Sequence, residues 1–205
     1  MPEKGIEIFT LNIEEISRSD LRAAFFLMSD ERKGKCKSLM RDEDKMCCIA
    51  ADMLLRDVLS ERTGIPREEL VFGREEKGKP YLVNGDYFFS VSHAGKYVCI
   101  AVSDKGNIGV DIEHMKGMKY ALMRHFCTEE DVRFIMGEKP ADTAVMTDYE
   151  MILRFFTVWT YKEAYVKCTG EGFTDTVLKI SYDKNRCTTK ILEDYVICAV
   201  EAQEL

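Results

Sequence analysis

Tyr97-Val98-Cys99-Ile100-Ala101-Val102 and Tyr195-Val196-Ile197-Cys198-Ala199-Val200 read as one strand written twice. Their β-branched and aromatic residues suit a pleated, buried ladder. The same order of elements precedes each copy: helical segments, a long helix, then antiparallel strands. The chain therefore reads as an α+β protein made of two duplicated halves, residues 1–104 and 105–205. Each half should hold an antiparallel sheet and one long helix. Clefts commonly form where two such halves meet, so a functional site is expected at their interface.

Outward from the first copy, strands are expected at 6–11, 70–72, 81–83, 87–91, 97–103 and 108–113. Asn84-Gly85 is a hairpin signal between two of them. A helix over 42–60 follows from Met46, Ile49, Ala50, Met53, Leu54 and Val58 at helical spacing, and Gly64-Ile65-Pro66 stops it. In the second half, Thr128-Glu129-Glu130-Asp131 looks like a capped helix start. A long helix over 147–168 ends at Gly170-Glu171-Gly172. Strands at 178–182, 188–192 and 195–200 complete the pattern.

Composition narrows the function. Apolar content of 46% and charged content of 32% in 205 residues describe a globular chain with a sizeable core. No apolar run reaches membrane-spanning length, and the first residues lack a secretory h-region, so a cytoplasmic protein is expected. Eight cysteines without a Cys-x-x-Cys pair read as small core hydrophobes rather than disulfides or a zinc site. A net charge of −7 argues against nucleic acid as a partner. Local basic clusters (Lys33, Lys35, Lys37 and Arg41; Lys77 and Lys79) could still take a small anion.

Two cassettes carry the chemistry. In Gly109-Val110-Asp111-Ile112-Glu113 apolar and acidic residues alternate, so Asp111 and Glu113 project from one strand face. In Trp159-Thr160-Tyr161-Lys162-Glu163-Ala164-Tyr165-Val166-Lys167, Glu163 and Lys167 lie one helical turn apart. Taken singly, the first could be a solvated edge strand and the second a surface ion pair. Together they supply three carboxylates and a lysine, the set a magnesium-assisted reaction on a phosphate ester needs. A third element is Gly78-Lys79-Pro80 with Ser92-His93 at the end of a strand. Adjacent strand residues face opposite ways, so Ser92-His93 is a poor nucleophile–base pair and a better anion contact. His114 and His125 lack such a context.

These pieces occur together with Phe126, Glu130, Gly170 and Gly172. In that order and at those intervals, the chain resembles the 4′-phosphopantetheinyl transferases of the larger, monomeric, surfactin-synthetase-activating class. The resemblance implies transfer of the phosphopantetheine arm of coenzyme A to a serine of an acyl, peptidyl or aryl carrier protein, releasing adenosine 3′,5′-bisphosphate. It implies Mg2+ held by Asp111, Glu113 and Glu163, with Glu163 also the candidate base. Lys167 would contact the pyrophosphate and Lys162 support it. Arg32, Lys35, Lys79, Ser92 and His93 would contact coenzyme A, His93 at a phosphate, and Glu130 would be a further acidic site residue. One departure stands out: Cys47 occupies a position where such enzymes often carry arginine, which leaves the 3′-phosphate contact to other groups. Phe25, Phe26, Met28 and residues 115–120 are candidate carrier-docking positions. Two broader readings are another magnesium-dependent phosphoryl transferase or hydrolase, and a non-catalytic module binding coenzyme A or a carrier. The first is disfavoured by the lack of a Gly-x-x-x-x-Gly-Lys loop.

Overall fold

The computed structural model describes residues 5–116, 123, 125–137, 149–172 and 178–202. The chain divides into two compact units, Met1–Gly106 and Asn107–Leu205. The first runs β1 (Glu7–Asn12), α1 (Arg18–Leu27), α2 (Asp30–Ser38), α3 (Asp42–Thr63), β2 (Phe72–Arg74), β3 (Pro80–Leu82), β4 (Phe88–Ala94) and β5 (Tyr97–Ser103). The second runs β6 (Ile108–His114), α4 (Glu129–Met136), α5 (Tyr149–Thr169), β7 (Cys187–Leu192) and β8 (Tyr195–Glu201).

Both copies of the repeated strand are central. The first unit has the antiparallel order β1-β5-β4 and the second the order β6-β8-β7. Each sheet is an N-terminal strand laid beside a C-terminal hairpin, with the long helix between them in sequence. Val98 through Val102 and Val196 through Ala199 are nearly inaccessible, which explains why a strand polar on neither face recurs at these two places.

The helix ends follow ordinary rules. Ser17 and Ser29 accept the Asp20 and Arg32 N–H groups at the starts of α1 and α2. Gly64, at φ 74°, closes α3 in the left-handed conformation expected of Gly64-Ile65-Pro66. Gly34, in contrast, lies inside α2 with open space where a β-carbon would go. Gly34→Ala should therefore stabilise the protein by about 0.5–1 kcal/mol, read as a higher urea midpoint at unchanged slope.

Two expected elements differ. Asn84-Gly85 does not join a hairpin, because β3 pairs with β2 and β4 with β5. The Asn84 side chain instead accepts from the Val71 N–H at 3.0 Å and donates to the Glu69 carbonyl at 2.9 Å, holding the approach to β2. The expected strand at 178–182 is also absent from the described residues. There the Ile180 carbonyl and the Tyr182 N–H bond to the side chains of Lys162 and Asp131 rather than to a ladder. The first two positions of the expected helix over 147–168 lie outside the described residues, as do 117–120 of the candidate docking loop. Among the described residues no helix is long and apolar enough to cross a membrane.

Candidate active site

The site in the second unit begins with a glycine. A β-carbon on Gly109 would stand 1.8 Å from the Ala164 carbonyl oxygen and 2.5 Å from the Cys168 nitrogen. The absence of a side chain lets the backbone of β6 touch α5. Residues two and four further along the same face then meet α5 in turn. Lys167 Nζ lies 2.7 Å from Asp111 Oδ1, and Trp159 Nε1 donates to Glu113 Oε1 at 3.1 Å. Trp159 is packed edge-on by Phe126 at 5.1 Å.

Glu163, one turn before Lys167, completes the acidic set. Burial and then the Asp111 charge, reinforced by Glu113, push its carboxyl up to about 7 against the pull of Lys167. Glu113 is raised too, by burial and then Asp111, opposed by its Trp159 hydrogen bond and by Lys167. Three carboxyls crowded in a half-buried seam repel one another. Oxygen donors under such mutual repulsion fit a hard dication, which would relieve it. As they stand, no three described His, Cys, Asp or Glu side chains are grouped closely enough to hold one ion. The Lys167 ammonium lies against Asp111.

The repeated ladders show what stands at the equivalent places of the first unit. Aligning the repeated strands matches Val98 with Val196, Ile100 with Cys198 and Val102 with Val200. Their partners on β1 are Leu11, Phe9 and Glu7; on β6 they are Glu113, Asp111 and Gly109. Where the second unit carries its two β6 acids, the first has Phe9 and Leu11, both packed in apolar core.

Lys162 has a different place from the one expected. It is 1% exposed and pairs with Asp131 Oδ2 at 3.0 Å, while also donating to the Ile180 carbonyl. Its charge is matched inside the protein by the Asp131 carboxylate. The sequence signal was available: Met151, Phe155, Val158 and Lys162 fall on one buried stripe of α5. Asp131 went unrecognised as its partner. It closes the capping box with Thr128, accepts the Tyr182 N–H at 2.7 Å, and is buried, whereas the neighbouring Glu130 is on the exposed face of α4. Lys162→Met should lower stability by about 3 kcal/mol by stranding the Asp131 carboxylate. Denaturant unfolding of Lys162→Met, Asp131→Asn and the double variant would show the coupling.

In the first unit, Ser92 is buried and His93 exposed, on opposite faces of β4 as alternation requires. Cys47 is buried beneath this region, its thiol 3.6 Å from the Gly95 carbonyl and pushed up to about 11 by burial and then by Asp44 and Glu43. It braces the β4–β5 turn and offers no positive charge. Arg32 lies 3.8 Å from Asp52, and Lys35 is exposed on α2. Lys79 is half-buried and its carbonyl accepts the Glu75 N–H at 2.8 Å, closing the turn before β3. Of the docking candidates, Phe26 is exposed while Met28 belongs to the core with Phe25 against it. His114 stacks on Tyr195. All eight cysteines are free thiols.

Comparison with known proteins decides the family. The model described as "4'-phosphopantetheinyl transferase, N-terminal" matches residues 15–105, and the model of the "4'-phosphopantetheinyl transferase superfamily" matches residues 107–201. The chain belongs to the 4′-phosphopantetheinyl transferase superfamily. A 4′-phosphopantetheinyl transferase of Bacillus subtilis is 30% identical over 148 residues, 72% of this chain and 62% of that protein. The 4′-phosphopantetheinyl transferase ffp of Bacillus subtilis is 25% identical over 194 residues, 93% of this chain and 83% of the relative. The 4′-phosphopantetheinyl transferase Sfp of Bacillus subtilis (strain 168) is 27% identical over 160 residues, 78% of this chain and 67% of the relative. The chain thus spans from under two thirds to about four fifths of these relatives.

Proposed function

We propose that the chain transfers the 4′-phosphopantetheine moiety of coenzyme A to a serine of an apo carrier protein, releasing adenosine 3′,5′-bisphosphate. The observation that carries this reading is the β6–α5 seam, which gathers Asp111, Glu113, Glu163 and Lys167 around Gly109 in a chain matched along both units by models of this family. Asp111, Glu113 and Glu163 would hold Mg2+, which when bound supplies positive charge against the coenzyme A pyrophosphate. Lys167, already on the seam, shifts from Asp111 toward the phosphoryl oxygens as carboxylate charge is neutralised. Trp159 fixes Glu113. Glu163, directly or through a water, accepts the serine proton as the hydroxyl attacks phosphorus. The serine oxygen forms the new phosphoester bond, and the adenosine 3′,5′-bisphosphate leaves with the electrons of the broken pyrophosphate bond. Arg32, Lys35, Lys79, Ser92 and His93 take the nucleotide end, with no help from Cys47. The protein would act as a cytoplasmic monomer.

Incubation with coenzyme A, Mg2+ and a panel of apo carrier proteins tests this. The expected result is a mass increase of one phosphopantetheine on at least one carrier, abolished by chelation. No addition to any carrier would overturn it, and turnover of a simple phosphodiester without carrier would favour the broader phosphoryl-transfer reading.

A further inference from the structure

Two thiols of the second unit stand within reach of each other, and the transfer reading uses neither. β7 lies at the edge of its sheet and pairs antiparallel with β8, Cys187 opposite Val200 and Thr189 opposite Cys198. Residues two apart on a strand share a face, so Cys187 and Cys198 are diagonal neighbours on one face. Cys198 belongs to the buried cluster of Tyr161, Ala164, Cys168 and Val200, and Cys187 packs against that cluster. The two thiols are hydrogen-bonded to each other.

This pair differs from the other six cysteines. Cys36, Cys47, Cys48, Cys99, Cys168 and Cys198 are buried, whereas Cys127 and Cys187 are partly open to solvent. Burial, and then the Asp131 charge, pushes the Cys127 thiol up to about 12. Cys187 goes the other way, down to about 7, because the Cys198 thiol donates to it and outweighs the cost of burial. Thr189 and Tyr182 add hydrogen bonds in the same direction. The Cys187 sulfur lies 3.7 Å from Thr189 Oγ1 and donates to the Asp183 carbonyl at 3.5 Å. The thiolate is the nucleophile of thiol–disulfide exchange, so one member of the pair is set to attack while the other is held against it.

Cys198 has a second neighbour. Across β6 and β8 it stands directly opposite Asp111, as Val196 stands opposite Glu113. A disulfide needs β-carbons about 3.5–4.5 Å apart, closer than the diagonal of a relaxed ladder. Closing one here therefore draws β8 toward β7 at the residue that backs Asp111.

We propose that Cys187 and Cys198 form a thiol–disulfide exchange site for a small organic disulfide, and that the bridge so made is felt at the acidic seam. The Cys187 thiolate attacks one sulfur of R–S–S–R, forming a mixed disulfide and expelling R–S⁻, which takes a proton from solvent. The Cys198 sulfur then attacks the Cys187 sulfur, and its proton passes to the second departing R–S⁻. The dithiol is oxidised to a disulfide, and the reagent is reduced to two R–SH. A bridge that shortens a strand diagonal is strained, which makes it easy to reduce again.

The test adds 2-hydroxyethyl disulfide, a small uncharged member of that class, to the fully reduced chain at pH 7. Intact mass and peptide mapping should show a transient adduct on Cys187, then a Cys187–Cys198 bridge. The bridged chain is lighter than the reduced one by two hydrogens, and dithiothreitol restores it. Cys187 should react at least about tenfold faster than Cys127. Cys187→Ser should remove both products, and Cys198→Ala should stop the reaction at the adduct, with thermal melts to show both variants folded. The mapping of the parent chain decides the chemistry even if a variant fails to fold. The one tryptophan of the chain, Trp159, donates to Glu113 on β6, so its emission reads the seam. That emission should shift on bridging and return on reduction. A lasting adduct without a bridge in the parent, adducts spread over the buried thiols, a bridge that survives Cys198→Ala, or an unchanged Trp159 emission would each overturn the proposal. No coenzyme A, metal or carrier enters the experiment, so its outcome is independent of the transfer reading.

Discussion

Gly109→Ala should give a protein that is barely folded and inactive in transfer. The added carbon would lie 1.8 Å from a carbonyl oxygen and 2.5 Å from a backbone nitrogen, both in the C-terminal turns of α5. A flexible side chain could swing aside from such a clash, but helix backbone cannot. Either β6 leaves α5, or the helix distorts where Glu163 and Lys167 sit. Overpacking usually costs 1–3 kcal/mol, and with no soft neighbour here the loss should reach about 4–5 kcal/mol, most of an ordinary domain's stability. Urea unfolding measures it. A variant within 1 kcal/mol of the parent would mean the contact is far looser than its geometry.

Glu163→Gln should do the opposite to the fold while removing the activity. The amide keeps the shape of the side chain but can neither accept the serine proton nor add charge to a metal site. A drop in kcat of at least about 1,000-fold is expected, close to 4 kcal/mol of barrier. Stability should move the other way in metal-free buffer at neutral pH and above. A carboxyl whose proton affinity is raised in the folded state opposes folding once ionised, and the neutral amide does not ionise. Loss of turnover with an unchanged or higher unfolding midpoint would mark Glu163 as a group kept for chemistry at the expense of stability. Full transfer activity in this variant would remove it as the base.

Much of this site was legible in the sequence because its spacing is the spacing of regular structure. Period two along residues 109–113 put Asp111 and Glu113 on one face, and the interval from 163 to 167 put two charges on one turn. The repeated strand named the centres of both sheets. What escaped depended on partners distant in sequence. Lys162 reads as a lysine supporting a phosphate contact until Asp131, from another helix, is brought against it. Asn84-Gly85 has turn chemistry, but the Asn84 side chain is claimed by backbone groups of the segment before β2. The strand expected at 178–182 has suitable composition, yet its backbone partners are the same buried ion pair. The position of Trp159 on Glu113 needed the helix and strand to be placed together. In each case a tertiary contact overrode a sound local preference.

The substitution of acids for Phe9 and Leu11 in the duplicated ladder has a kinetic counterpart. A seam closed by like charges and one lysine is weaker glue than the hydrocarbon that closes its counterpart, so the two repeats should not breathe alike. Protons on the amides flanking β6 and the C-terminal turns of α5 should exchange with solvent sooner than those of β1 and α3. Cations and coenzyme A would slow that exchange selectively. The half that carries the acidic seam is thus expected to be the half that opens, and a bound cation would supply the closure that its own residues leave out.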